Sequence, residues 1–517
     1  MLGQALAVTR LVREKCAGLF YLDVKEIHYA AARGDVETVI EELRNGADVN
    51  HRDRDFLADF ESPDLSELFD DEDIPDEIKQ LQANMASIDT GELGEFEETA
   101  LICAAKDRRA GVRMLDVLLD HGADIDLMGG GAETCALGEA LRNGPVEKAE
   151  LLVSRGASLD YVTKGGTSAW LDAAYNHSGS RDAMIDFLLD HRAPNINHVS
   201  DYGEHPCIQL SAVGAFHLIA KLIEAGADKD ALRWTDVMWE IAYGSHESLE
   251  HSIKGSDLEA RDARNRTPWL LAAVVGCIDK ATLLLDAGAD LHSTNHVEQN
   301  ALHHAATANR PDMIRWLAAQ DLNVDSRSEF GGTPLMAAAE RGASDAVQAL
   351  LELGADPSAE DETKGRAITD ASEIESVKLL TAAGEDINHI GGDGYHLLKS
   401  AAEQNEPGFI RALLDLGAKA DTTSTGDTAL HTALSNDHLE IAELLMTAGA
   451  DINQQDADGW SALHYCRSRK AVSMIVDAGA DLSLEDDVGN TAAESFVTFG
   501  RPDLSEFLQD YVKRKGA

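Results

Sequence analysis

Thr267-Pro268-Trp269-Leu270-Leu271-Ala272-Ala273, followed by Ala281-Thr282-Leu283-Leu284-Leu285-Asp286-Ala287-Gly288-Ala289-Asp290, is the stretch from which the architecture is read. Thr267 is placed to cap a helix, and Pro268 at its first position has a preset φ and no amide to leave unpaired. The Ala272-Ala273 pair keeps that helix thin, so a second can lie antiparallel and close beside it. Leu283, Leu284 and Leu285 give the second helix its buried stripe. Gly288 then ends it in a left-handed cap, and Ala289-Asp290 turns the chain toward the next unit.

The closing triplet returns along nearly the whole chain at a spacing of about 33 residues. It is intact at Gly46-Ala47-Asp48, Gly122-Ala123-Asp124, Gly226-Ala227-Asp228, Gly288-Ala289-Asp290, Gly354-Ala355-Asp356, Gly449-Ala450-Asp451 and Gly479-Ala480-Asp481. Weaker copies stand at Gly156-Ala157-Ser158, Gly384-Glu385-Asp386 and Gly417-Ala418-Lys419. The opening motif returns in phase at Thr333-Pro334-Leu335, Thr428-Ala429-Leu430-His431, Ser461-Ala462-Leu463-His464 and Asn300-Ala301-Leu302-His303. On these residues the chain resembles an ankyrin-repeat protein, whose units follow T-P-L-H-x-A and G-A-D-x-N. The resemblance implies an all-α solenoid of helix-turn-helix units joined by β-hairpin-like fingers, curved, with a concave face that binds protein partners. Each unit buries its apolar face against its neighbours, so a chain of 517 residues needs no globular domain boundary.

About fourteen units, partial ones included, run from about Ile27 to about Tyr511. The expected organisation is an N-terminal capping helix over 1–26, a first unit over 27–50, an acidic insert over 51–98, the main array over 99–490, and a capping repeat with tail over 491–517. Phe496, Phe499, Leu504, Phe507 and Leu508 supply the apolar side of that last repeat before Lys513-Arg514-Lys515. Several units depart from the pattern. The one opening Thr235-Asp236-Val237-Met238 has no Leu-His, while Arg192-Ala193-Pro194 and Gln320-Asp321-Leu322 replace the glycine turn. The insert contains the run Asp70-Asp71-Glu72-Asp73 and a stretch with Ile78, Leu81 and Met85 on one helical face. It reads as a solvated loop or as a docking segment.

The chain carries 92 Asp plus Glu against 44 Lys plus Arg, a formal charge of −48. Such a field opposes nucleic acid and anionic membrane surfaces and favours encounter with basic proteins, though it also serves solubility. Neither a nucleic acid nor a membrane is expected as partner, and the chain is expected to be monomeric. Cys16, Cys103, Cys135, Cys207, Cys277 and Cys466 are scattered singly, which suits a reducing, cytoplasmic setting. The stretch from Met1 to Phe20 is interrupted by Arg10, Arg13, Glu14 and Lys15 and reads as an amphipathic helix, neither signal peptide nor span.

No catalytic constellation emerges, and no cofactor or metal is expected. Gly129-Gly130-Gly131 is followed by Ala132-Glu133, without the lysine of a phosphate loop. His246 and His251 are five apart, where a zinc-protease helix needs four. Asp456-Ala457-Asp458-Gly459 hints at a calcium loop, but the twelve-residue frame from Gln454 closes on Tyr465 instead of a bidentate glutamate. His28, His303, His431 and His464 recur at the repeat's own period, which argues for hydrogen bonds between repeats.

The remaining reading is a non-enzymatic scaffold or inhibitor that captures a protein with a basic surface on an acidic concave face, in an immunity-like role. An alternative is a targeting subunit that recruits an enzyme through the insert 51–98. Residues that the fold does not require, above all aromatics, are the candidate contacts. Tyr161, Tyr202, Trp234 and Phe330 fall in fingers, and Tyr175, Trp239, Leu271, Val274 and Val275 fall at inner-helix positions.

Overall fold

The repeat closes as its sequence predicts. Helix Pro268–Val275 begins at Thr267, whose Oγ1 accepts from the Leu270 amide at 3.3 Å. Helix Ile278–Asp286 comes next and ends where Gly288 adopts φ +95°. There the Gly288 and Ala289 amides donate to the carbonyls of Leu285 and Leu284, satisfying the last turn. Arg192 and Asp321, which stand in for the glycine elsewhere, are also left-handed, at φ 51° and 62°. A Cβ on Gly288 would meet no atom within 4 Å, so Gly288→Ala isolates the dihedral cost. A loss of about 1 kcal/mol is expected in urea unfolding, and no loss would show that the left-handed turn is not what the glycine serves.

The aspartate of the triplet has two structural tasks. Asp290 Oδ1 accepts from the His292 amide at 2.9 Å, forming a local turn, while its own amide donates to Glu259 of the preceding repeat at 3.3 Å. The inter-repeat bond recurs from Asp356 to Asp325 at 3.0 Å, from Lys419 to Asn388 at 2.7 Å and from Asp481 to Asn453 at 2.8 Å. Many of the carboxylates are therefore tied into the scaffold.

The computed structural model describes residues 31, 36–44 and 99–515, apart from 108–109, 130–132, 177–178, 393 and 424–425. The helix expected over 1–26, His28 and the insert 51–98 lie outside the described residues, and of the first unit helix Val36–Arg44 is described. The chain divides into two units, Met1–Pro194 with Leu434–Leu439 and Ile452–Ala517, and Asn195–Ala433 with Glu440–Asp451.

In the first unit the inner helices Ala100–Lys106, Ala136–Asn143 and Ala169–Ala174 pack in series, backed by Val112–Asp120, Val146–Ser154 and Arg181–Asp190. Near the chain's end Ala492–Thr498 and Pro502–Lys515 pack together with Phe496, Leu504 and Leu508 buried, and Arg469–Asp477 lies against the last helix. Tyr511 and Lys515 both reach Asp477.

In the second unit Asp236–Tyr243, Pro268–Val275, Ala301–Thr307 and Pro334–Glu340 form the inner row. Among the described residues there is no β-strand, only isolated bridges such as Val162 with Ser168. The fingers of this unit are nonetheless stitched together, as Glu329 donates to the Val297 carbonyl at 3.0 Å and Glu362 to that of Phe330 at 3.2 Å.

One motif does not become a helix. Ser461-Ala462-Leu463-His464 opens a turn instead, because Ser468 already caps the next helix and too few residues intervene for an inner helix and its connection. Ala462 and Leu463 are buried all the same, so the shortened unit still fills the core.

Candidate interaction surface

The nine residues singled out as candidate contacts separate by burial. Tyr202 is 83% exposed and Phe330 62% exposed, both on fingers of the second unit. Trp239, Tyr175 and Val275 are half-buried. Tyr161, Trp234, Leu271 and Val274 are buried, which corrects their placement on an accessible face.

Tyr161 is turned inward by a carboxylate. Its hydroxyl donates to Asp172 Oδ2 at 2.6 Å, while Arg142 donates through Nε to Asp172 Oδ1 at 2.9 Å. The Arg142 guanidinium also lies over the Tyr175 ring, 5.6 Å from its centroid. Burial lifts the Asp172 carboxyl to about 6 against the pull of Arg142. The two tyrosines thus belong to a polar clamp between adjacent inner helices.

Leu271 is buried, and Val274 is covered by another part of the same unit. Gly214 lies against Val274, and a Cβ on it would be 3.5 Å from Val274 Cγ1. Arg266, just ahead of the Thr267 cap, spans back to Ser211, with Nη1 donating to its carbonyl at 3.0 Å and Nη2 to its Oγ at 2.5 Å. Nε and Nη2 of Arg266 also donate to Asp262 Oδ2 at 2.9 and 2.6 Å, and both side chains are 1% exposed. Nothing in the sequence pattern pointed to the Ser211 end of this network, because that partner lies two repeats earlier.

Trp234 sits in a group of four rings with Phe216, Trp239 and Tyr243. Sequence reasoning missed Phe216 and Tyr243. The placement of Tyr243 four residues after Trp239, on one face of a helix, was the available signal for the latter.

Two of the periodic histidines, His303 and His464, join repeats. His303 accepts at Nδ1 from the Asn300 amide at 3.3 Å and donates from Nε2 to the Gly332 carbonyl at 3.1 Å. His464 does the same between the Ser461 amide and the Asn490 carbonyl, at 3.2 and 3.4 Å. These bonds need a neutral ring, and burial pushes His303 down to about 4.

Exposed acids are prominent on the second helices, for example Glu147 and Glu150, Asp182 and Asp186, and Glu247 and Glu250. On the inner helices Glu139 and Asp172 are buried. The acidic field therefore does not reside on the inner-helix face alone.

The apparent chemical motifs resolve into turns and helices. Asp456 Oδ1 accepts from the Asp458 and Trp460 amides at 3.0 and 2.8 Å, so the turn uses the aspartate of the calcium-like sequence. His251 bonds to the Glu247 carbonyl within its own helix. Among the described residues no three His, Cys, Asp or Glu side chains converge to hold a metal ion. No described helix is long and apolar enough to cross a membrane.

Comparison with known proteins agrees with this architecture. The family described as Ankyrin repeats (3 copies) matches residues 269–361 and 366–456, and that described as Ankyrin repeat matches 27–54 and 96–129. Among relatives, the E3 ubiquitin-protein ligase KEG of Arabidopsis thaliana is 24% identical over 64% of this chain and 20% of its own length. The transient receptor potential cation channel subfamily A member 1 homolog of Caenorhabditis elegans is 28% identical over 38% of this chain and 17% of its own. The B-cell lymphoma 3 protein homolog of Mus musculus is 27% identical over 44% of this chain and 54% of its own. This chain thus spans a fifth or less of the first two relatives. Among solved structures, the human ASB11 ankyrin repeat domain is 25% identical with a TM-score of 0.38, covering 42% of this chain and 99% of that one.

Proposed function

Because the chain is an ankyrin-repeat protein, we propose that it is a non-enzymatic binding scaffold or inhibitor whose partner is a protein with a basic surface. The observation that carries the reading is the charge of −48 on a scaffold whose second helices expose acids along the array. A field of that sign raises the encounter rate with basic proteins and disfavours nucleic acid. The relatives differ in activity, a ubiquitin ligase and a cation channel among them, while each shares only part of its length with this chain. That pattern favours a common binding role over a transferred catalytic one.

The specific form proposed is immunity-like, a monomer in a reducing cytoplasm that neutralises a basic effector. Tyr202 and Phe330 are the contacts to test, since aromatic side chains exposed on fingers are strong anchors and the core does not use them. Replacing both by alanine is expected to lower affinity for the captured protein about tenfold or more with an unchanged melting temperature. Unchanged affinity would remove the finger tips from the interface. The run Asp70-Asp71-Glu72-Asp73 favours a second reading, recruitment through the insert. Deleting 51–98 abolishes capture on that reading and spares it on the first.

A further inference from the structure

Four rings from two consecutive repeats meet in the second unit. Trp234 packs edge-on against Trp239, with centroids 4.8 Å apart and an interplanar angle of 67°. Trp239 stacks on Tyr243 at 5.8 Å and 21°, and Phe216 lies 6.1 Å from Trp234. The Tyr243 hydroxyl fixes the arrangement by donating to the Phe216 carbonyl at 2.8 Å. Tyr243 is 43% exposed and Trp239 half-buried, so part of this ring surface reaches solvent.

The fold does not ask for aromatics here. Thr235 and Thr267 cap their helices alike, so Trp239 takes the register position of Leu271 and Tyr243 that of Val275. Aliphatic side chains suffice there in the next repeat. Elsewhere partly exposed rings already hold a cation of the chain itself, as Tyr175 does beneath Arg142 and Tyr395 beneath Lys399 at 5.1 Å. No cation of the described chain lies over Trp239 or Tyr243. The nearby Lys280 ammonium is committed to the Glu240 and Ile241 carbonyls at 3.0 and 2.8 Å.

Two further features mark the place. Trp170 and Trp269 donate their indole N–H to the Pro194 and Leu291 carbonyls at 2.8 and 3.1 Å, yet the buried indole N–H of Trp234 has no acceptor among the described residues. Leaving such a group unpaired is costly, and a guanidinium, which carries only donors, does not satisfy it, so this N–H marks the cluster without itself selecting the cation. Asp236, exposed on the same helix three residues ahead of Trp239, adds a negative charge at that helix's first turn.

The geometry points to a cation nest in which Trp239 and Tyr243, backed by Trp234, receive an arginine side chain of the partner while Asp236 balances its charge. Arginine suits the site better than lysine because its planar, weakly hydrated guanidinium stacks on ring faces. The assignment deepens the reading of a basic protein partner and rests on it.

Nona-arginine peptide titrated into the full chain tests the nest. The 15N-labelled indole resonances of Trp234 and Trp239 are expected to move while those of Trp170 and Trp269 stay in place, a readout that needs no variant. Trp239→Leu, which installs the residue found at Leu271, is expected to weaken binding about 5- to 30-fold at a temperature where the variant is still fully folded. Equal affinity of the variant and the wild-type chain, or equal movement of all four resonances, overturns the nest and leaves the basic-partner reading standing. No binding of nona-arginine by the wild-type chain overturns both.

Discussion

Replacing Arg266 by methionine is expected to destabilise the second unit by about 3–5 kcal/mol. The guanidinium is almost wholly enclosed and satisfies three acceptors at once, the Asp262 carboxylate within its own finger and the carbonyl and hydroxyl of Ser211 two repeats earlier. Methionine fills the same volume but leaves the buried carboxylate unpaired and the carbonyl without its donor. Burying an uncompensated charge costs far more than the pair itself contributes. Stability in a repeat array is partly local, so hydrogen exchange over residues 206–275 reports the loss better than a single global transition. A change below about 1 kcal/mol would contradict the assigned network.

Acid is expected to produce the second large effect. Burial pushes His303 and His396 down to about 4, and lowers His205, His464 and, most strongly, His304 in the same direction. Unfolded histidine titrates near 6.5, so between about 6.5 and 4 the unfolded chain binds more protons than the folded one. The stability these rings contribute is therefore complete above about pH 6.5 and is lost as the pH falls toward 4, by about 3 kcal/mol each for His303 and His396. Asp172 works in the opposite sense. Its folded value is raised to about 6 from 3.8, so its contribution is complete below 3.8 and falls away as the pH rises through 6. One carboxyl against five imidazoles leaves a net loss in acid. Thermal unfolding between pH 7 and 4.5 should show a falling midpoint, with a shallower fall in His303→Gln. A flat profile would mean that these rings are accessible to protons in the folded chain.

The repeat was legible because its instructions are local. A capping threonine, a proline in the first turn and a left-handed glycine each act within a few residues, and Thr267, Pro268 and Gly288 behave as their sequence context requires. His303 and His464 were legible for a related reason, since both recur at the structural period and both bond to the next repeat. Burial at the candidate surface was not legible. Leu271 and Val274 occupy inner-helix positions yet are buried, and Gly214 of a repeat two earlier lies against Val274. Tyr161 reads as a finger aromatic until Asp172, eleven residues on, claims its hydroxyl. Those contacts depend on how repeats stack, which a periodic pattern does not specify. The failed helix at Ser461 has a plainer origin, a connection too short for the motif it begins.

These corrections narrow where a partner can touch the chain. Tyr202 and Phe330 remain on exposed fingers, and the Trp239–Tyr243 pair remains open on an inner helix. Leu271 and Val274 serve the core, so their truncation is expected to lower stability without reporting on binding.

The central claim is that this array selects a basic protein through its charge. Its most direct test is capture on the immobilised full chain from an extract of its source, followed by elution of the bound protein in rising salt. The account predicts a captured protein of strongly positive net charge whose affinity falls steeply as ionic strength rises. A neutral or acidic partner, or a basic one held equally well at high salt, would contradict it.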